Sequence, residues 1–85
     1  MPSIPKILEI MRTNPNAVRF ADALKVSTFY FGKPRIHGSH HVFKPPWKGE
    51  PWVNIQEKEG FLKPYQVKQI LDAVDKLESE KDVQG

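Results

Sequence analysis

The sequence predicts a single α+β domain over residues 1–85, in two layers, with a three-stranded antiparallel sheet packed on helices in the order α-α-β-β-β-α. Apolar residues recur with a helical period in the first third of the chain. Strand-like runs broken by glycine and proline follow, and helical periodicity returns after Pro64. Because a bare sheet would not stay soluble, we expect the helices to cover one face and to leave the other open to a partner.

Two helices are predicted in the N-terminal part, over residues 3–12 and 17–31. In the first, Ser3 is a suitable N-cap and Pro5 falls in the first turn, where its missing N–H is tolerated. The second ends at Gly32, because glycine is common just past a helix C-terminus. The apolar faces consist of Ile4, Ile7, Leu8 and Met11 in the first helix and of Ala17, Phe20, Ala21 and Leu24 in the second.

The sheet is predicted over residues 33–56. The runs "KPRIH" and "SHHVFKP" flank Gly38, and "WVNIQ" alternates polar and apolar residues with the period of a half-buried strand. "EKEG" is a turn, and Pro64 then suits the first position of a helix over residues 64–79. The apolar stripe of that helix consists of Val67, Ile70, Leu71, Val74 and Leu77.

Positive charge is concentrated around the predicted strands. The net charge is +3, and residues 33–48 hold four cations and no acid, namely Lys33, Arg35, Lys44 and Lys48. A local basic surface is typical of proteins that bind a phosphate-bearing partner. Lysines also keep an exposed strand edge soluble, so the charge alone leaves both interpretations open.

Several classes of site and location are disfavoured by composition. The chain has no cysteine, which excludes disulfides and cysteine-based metal sites. No apolar run approaches the roughly 20 residues that span a bilayer. The segment "MPSIPKILEIMR" lacks the pattern of a signal peptide. We therefore expect a soluble, cytoplasmic protein.

All three histidines lie in "IHGSHHVF", residues 36–43. An expression-tag scar is disfavoured because the segment is internal. A metal site is also disfavoured, because adjacent strand residues point to opposite faces and His40 and His41 cannot easily share one ion. His37 and His41 would face the same way only if the chain stayed extended between them. One of His40 and His41 should instead face the helices as an ordinary half-buried histidine, and the other should face outwards.

A catalytic role is the remaining interpretation. A neutral imidazole can take the proton from an RNA 2′-hydroxyl, whose oxygen then attacks the adjacent phosphorus. Lys44, Arg35 or backbone N–H groups beside Gly38 could stabilise the developing charge, without a metal or other cofactor. Spacing alone leaves this as a possibility. Trp47 and Trp52 could likewise stack on unpaired bases or cap a small core.

The segment "GSHHVF" (38–43), with "FYFG" before it and "WVNIQ" and "KPYQVKQIL" after it, resembles the HicA family of toxins over roughly residues 15–75. The resemblance implies a double-stranded-RNA-binding-like fold and a metal-independent endoribonuclease that cleaves mRNA as the toxin of a type II toxin–antitoxin pair. It also implies a HicB-type antitoxin that covers the active site. The helix 3–12 would be an addition to the minimal toxin, and the Pro-x-His of many relatives is missing from the third strand.

The family's catalytic histidine follows Gly-Ser or Gly-Gly, which here points to His40. His41 would face the helices, and the role of His37 stays open. Glycine would let the chain approach a phosphate closely. The alternatives are a non-catalytic RNA-binding module of the same fold and a protein-interaction domain. The residues expected to bind RNA are Lys33, Arg35, Gly38, Ser39, Lys44 and Lys48.

Overall fold

The structure is a computed structural model that describes residues 3–44 and 53–84, the last five as backbone only. It confirms the α+β class and the predicted order of elements. No described helix combines the length and the apolar character that a bilayer-spanning segment requires. The elements are α1 (Ile4–Thr13), a 3-10 turn (Pro15–Ala17), α2 (Phe20–Phe31), β1 (Arg35–His37), β2 (His40–Phe43), β3 (Val53–Gln56) and α3 (Pro64–Gln84).

The three strands form one antiparallel sheet in the order β1-β2-β3. Val53 and Ile55 are buried, whereas Asn54 and Gln56 between them are exposed, as the alternation in "WVNIQ" predicts. Helix α2 packs on β2, and α3 packs on β3. All of β1 is exposed, so the helices cover only two of the three strands. The fully buried side chains include Phe43 of β2 beside Val26 of α2 and Ile70 of α3 in a single core cluster.

Helix α1 is an integral part of this core. The side chain of Ser3 accepts a hydrogen bond from the backbone N–H of Lys6, which confirms the predicted N-cap. Ile7 and Met11 are 1% and 0% exposed, and the helix packs on both α2 and α3. The segment that the family resemblance marks as an addition therefore supplies two core side chains.

The prediction for α2 is correct at its end and wrong at its beginning, and its predicted face is correct for Phe20 and Leu24 but wrong for Ala17 and Ala21. Gly32 follows the helix with φ = 86°, a conformation that favours glycine. The helix begins at Phe20 because Val18 and Arg19 are extended and pair with residues 60–62, through Leu62 N–H to Val18 O and Phe20 N–H to Gly60 O. This rotates the buried face away from Ala17 and Ala21, which are exposed, and buries Ala23, Val26 and Ser27 instead.

Two side-chain links tie the other helices to α3. Arg12 of α1 contacts Asp75 at 2.6 Å, and this hydrogen bond raises the pKa of Arg12 above its usual range. The hydroxyl of Tyr30 donates to Glu78 Oε1 at 3.0 Å from α2. Helix α3 continues to Gln84, beyond the predicted end at residue 79.

We expect Met11→Ala to lower the free energy of unfolding by about 2–5 kcal/mol, because it leaves a cavity in the core. Lys6→Ala, at an exposed position of the same helix, should change it by less than about 0.5 kcal/mol. Urea denaturation followed by circular dichroism measures both. If Met11→Ala leaves the urea midpoint of unfolding unchanged, α1 does not contribute to the stability of the core.

Tyr30 should make stability dependent on alkaline pH. Burial, followed by the hydrogen bond to Glu78, raises the pKa of Tyr30 above its ordinary value of 10.0. Its contribution to stability is therefore fully present below the unfolded-state pKa and is lost as the pH rises through the higher folded-state pKa.

The check is urea denaturation at about pH 8 and about pH 11, where the wild type should lose more stability than Tyr30→Phe. Tyr65→Phe, at an exposed tyrosine of α3, should lose as much as the wild type. Equal losses in the wild type and in Tyr30→Phe would contradict the assignment.

Candidate nucleic-acid interface

One face of the sheet is left uncovered by the helices, and we call it the open face. Residues directly opposite each other in an antiparallel pair share a face, so the register assigns each side chain to a side. The side chains on this face belong to Arg35, His37, His40, Val42, Asn54 and Gln56. Most of them are exposed, so the predicted open surface is present and carries two of the three histidines.

Gly38 and Ser39 form a two-residue turn between β1 and β2. Gly38 has φ = 59°, as the first central residue of a type II′ hairpin turn requires, and this conformation favours glycine. The turn by itself accounts for the glycine, which the sequence interpretation had assigned to close phosphate approach. A Cβ at Gly38 would meet no atom within 4 Å, so the turn is also accessible to a ligand.

The turn places His37 directly opposite His40, and we call these two residues the histidine pair. Directly opposite residues have Cβ atoms about 4.5–5.5 Å apart, so the two histidine side chains leave the sheet at neighbouring positions on the open face. The sequence interpretation left the role of His37 open and considered an extended chain through Gly38 and Ser39. The dipeptide Gly38-Ser39 lies between two strand-like runs, which is a sequence signal for a two-residue β-hairpin turn. Such a turn would have predicted that His37 pairs with His40.

The ring of His40 is held by its neighbour on β3. His40 Nδ1 lies 3.3 Å from Asn54 Oδ1. An amide oxygen accepts hydrogen bonds, so this contact suits the tautomer in which Nδ1 donates to Asn54 and Nε2 keeps its lone pair. Asn54 is itself anchored, since its backbone N–H donates to Gln69 Oε1 of α3 at 3.2 Å.

His41 faces the helices, as predicted, and takes no part in this surface. Its ring stands edge-on to Phe20 of α2, with 5.0 Å between the ring centroids. Its Nδ1 is buried and has no hydrogen-bond partner among the described residues. His41 is therefore a half-buried histidine on the helix side of β2, and it offers a natural comparison with His40.

A cavity of about 240 Å³ lies beside the histidine pair and is lined by Lys33, Arg35, Val42 and Lys44. We call it the basic cavity. Within the described ranges 3–44 and 53–84, its three cations form no ion pair, so their charge is available to a ligand. Arg35 and Val42 lie two positions along their strands from the histidine pair, on the same face.

The structure thus brings together most of the residues that the sequence interpretation proposed. His40, Ser39 and Gly38 lie at the turn, and Lys33, Arg35 and Lys44 line the basic cavity. Lys48, Trp47 and Trp52 lie outside the described residues. In the part of the chain that the structure describes, no three side chains are grouped as metal ligands.

The residues that sequence reasoning missed are His37, Asn54 and Gln56. Gln56 lies opposite His40, and its Nε2 donates to Ser39 Oγ at 2.9 Å, which links β3 to the turn. The strand alternation of "WVNIQ" could have placed Asn54 and Gln56 on the outer face. Their pairing with the histidine segment depends on a register that no local pattern specifies.

Comparisons with known proteins give no match: no family model, no curated protein and no solved structure is significantly similar to this chain. The resemblance to HicA toxins therefore stays a prediction that rests on the "GSHHVF" segment and the order of elements around it.

Proposed function

We propose that this chain is a metal-independent endoribonuclease that cleaves mRNA as the toxin of a toxin–antitoxin pair. The observation that supports this best is the histidine pair beside the basic cavity, on the face of the sheet that the helices leave open. A phosphodiester backbone can lie along the cations with one phosphate at the two imidazoles. By its resemblance, the chain would have a HicB-type antitoxin that covers this face.

The chemistry needs a base and an acid at one phosphate. Nε2 of neutral His40 takes the proton from the ribose 2′-hydroxyl, and the 2′-oxygen attacks phosphorus. The bond from phosphorus to the 5′-oxygen breaks, and protonated His37 gives its proton to that leaving oxygen. The products are a 2′,3′-cyclic phosphate and a 5′-hydroxyl.

Three further groups assist the two histidines. Asn54 is a positioning residue, because it orients the ring of His40 and fixes its tautomer. Arg35 and Lys44 stabilise the charge that develops on the phosphate oxygens. Since every proton is handled by a side chain, the scheme uses no metal ion.

A non-catalytic RNA-binding module is the second candidate. The observation that favours it is the basic cavity itself, which binds phosphate equally well whether or not the histidines react. Both candidates require RNA affinity that falls as salt rises. They differ only in whether cleavage occurs and depends on His40.

A protein-interaction domain is the third candidate. Ile36 of β1 points to the helix side by its register, yet it is 63% exposed because the helices do not reach β1. An exposed apolar residue on an edge strand suits a partner protein. This candidate predicts no salt-dependent affinity for RNA.

We expect His40→Ala to lower the rate of cleavage of a long single-stranded RNA by about 10²–10⁴-fold, because it removes the general base. The reaction is run in EDTA and followed on a denaturing gel, with growth arrest on expression as a second readout. His41→Phe is the matched control. It should retain cleavage, since the phenyl ring preserves the edge contact with Phe20. If the wild type and His40→Ala bind RNA equally and neither protein cleaves it, the result would instead support the RNA-binding module.

We expect the effect of His37→Ala to depend on the leaving group of the substrate. With ordinary RNA the rate should fall by about 10²–10⁴-fold, because the general acid is missing. A dinucleotide whose 5′-bridging oxygen is replaced by sulfur has a better leaving group that needs little protonation. His37→Ala should cleave this substrate nearly as fast as the wild type, whereas His40→Ala should not. Loss of both activities in His37→Ala would exclude the acid role.

A further inference from the structure

A short hairpin follows β3 and pairs with the residues that precede α2. Lys58 and Phe61 exchange two backbone hydrogen bonds, each of 3.0 Å, and Glu59 and Gly60 between them have φ values of 54° and 86°. Positive φ at both central residues is what a type I′ hairpin turn requires. Lys58 and Phe61 are therefore directly opposite each other, so their side chains leave the hairpin on the same face.

Arg19 extends this pair into a row of three side chains. Two backbone hydrogen bonds, of 2.9 and 3.0 Å, join residues 18–20 to residues 60–62 and place Arg19 directly opposite Phe61. Directly opposite residues of an antiparallel pair share a face. Arg19, Phe61 and Lys58 therefore stand side by side, with the aromatic ring between the two cations, and we call this row the Phe61 platform.

The Phe61 platform faces solvent. The side chain of Phe61 is 45% exposed, and both cations beside it are exposed. Val18 and Leu62, which alternate with the residues of the row, are 1% and 3% exposed. The core contact of this part of the chain is thus made from the opposite face, and the exposed part of the Phe61 ring can receive a ligand.

Both cations of the Phe61 platform can bind an anion. Within residues 3–44 and 53–84, neither Arg19 nor Lys58 forms an ion pair. Glu57 precedes Lys58 and Glu59 occupies the turn, yet neither carboxylate comes close enough to pair with the two cations. The charge on either side of the ring is therefore not neutralised by the described part of the protein.

An aromatic ring between two cations suits a single-stranded nucleic acid better than a partner protein. Unpaired bases stack on exposed aromatic rings, and the phosphates next to the stacked base bind the cations. Interfaces between proteins are depleted of lysine, because burying an unpaired charge is costly. Every base has a face that can stack, so a platform of this kind binds unpaired bases without choosing among them.

The Phe61 platform lies close to the histidine pair. Lys58 is two residues beyond Gln56, so their Cα atoms are at most about 7 Å apart. Gln56 is directly opposite His40 in the sheet. An RNA strand with one phosphate at the histidine pair therefore has the platform within reach of a nearby nucleotide.

We propose that the Phe61 platform stacks an unpaired base of single-stranded RNA, while Arg19 and Lys58 bind the phosphates beside that base. The position of this base relative to the reacting phosphate rests on the proposed function. Stacking itself does not require cleavage, so it is measurable on a strand that the protein cannot cut.

The probe is a fluorescently labelled single strand of mixed sequence in which every ribose carries a 2′-O-methyl group. Such a strand has no free 2′-hydroxyl to act as the nucleophile. Phe61→Ala should weaken its binding, measured by fluorescence anisotropy, by about 5- to 150-fold, which corresponds to the loss of one stacked base. Phe61→Trp should retain the wild-type affinity. After the strand is annealed to its complement, the wild type and Phe61→Ala should bind it equally, because paired bases cannot stack on the ring.

Phe29 provides a matched control for the loss of an exposed ring. It is 66% exposed on α2, where its ring stands edge-on to Tyr30. Phe29→Ala should leave the affinity for the single strand unchanged. Equal losses of affinity in Phe29→Ala and Phe61→Ala would overturn the proposal, because they would reflect only the loss of exposed apolar surface.

The two cations are tested by the dependence of binding on salt. Arg19→Ala and Lys58→Ala should each weaken binding and reduce the slope of log K against log salt by about 0.7, the value for one phosphate contact on a single strand. Lys68→Ala should do neither, because Lys68 lies on α3 and pairs with Asp72 at 3.8 Å. An unchanged slope in both Arg19→Ala and Lys58→Ala would overturn the phosphate contacts.

A second measurement does not depend on the folding of any variant. In the wild-type protein, the ring-proton resonances of Phe61 should shift upfield on titration with the methylated strand, because a stacked base shields them. The ring-proton resonances of Phe29 should stay in place. If saturation with the strand leaves the Phe61 resonances unshifted, the platform is overturned.

The outcomes separate this proposal from the proposed function. If the wild type cleaves ordinary RNA and Phe61→Ala binds the methylated strand as the wild type does, the platform is overturned and the ribonuclease stands. If binding depends on Phe61 but the wild type does not cleave ordinary RNA, the platform stands and the ribonuclease is overturned. Absence of any affinity for RNA overturns both.

Discussion

Phe43, Val53 and Ile55 project from one face of the sheet into the core that α2 and α3 close, and the rest of the structure depends on this one-sided burial. Successive strand residues point to opposite faces, so burying these three side chains determines the side of every other residue in β2 and β3. Asn54 and Gln56 must then point outwards, and His40 must point away from His41. The polar surface is therefore a geometric consequence of how the apolar core is made.

The same constraint explains why the two adjacent histidines differ so much. His41 packs edge-on against Phe20, and one of its nitrogens is buried without a partner among the described residues. His40 is exposed, and its ring contacts the side chain of Asn54, whose backbone N–H donates to Gln69 of α3. Helix α3 thus affects the position of a side chain on the open face, because Gln69 binds the backbone of the strand that carries Asn54.

Sequence patterns predicted the features that depend on local chemistry. The order of elements, the Ser3 cap, the glycine after α2 and the opposite orientations of His40 and His41 follow from capping preferences and strand alternation. The face predicted for α2 was wrong at Ala17 and Ala21 because Val18 and Arg19 pair with residues 60–62, a contact between segments far apart in sequence. The role of His37 stayed open because the two-residue turn that begins with Gly38 was not recognised as a hairpin signal.

The two-residue turn between the histidines constrains how this sequence can vary. One residue inserted between His37 and His40 would change the pairing of β1 with β2, and side-chain direction alternates with every step along a strand. Substitutions elsewhere in the turn leave that alignment intact as long as a glycine keeps the positive φ. Among descendants of this chain that retain both imidazoles on one face, the length of the "HGSH" segment should therefore vary less than its composition.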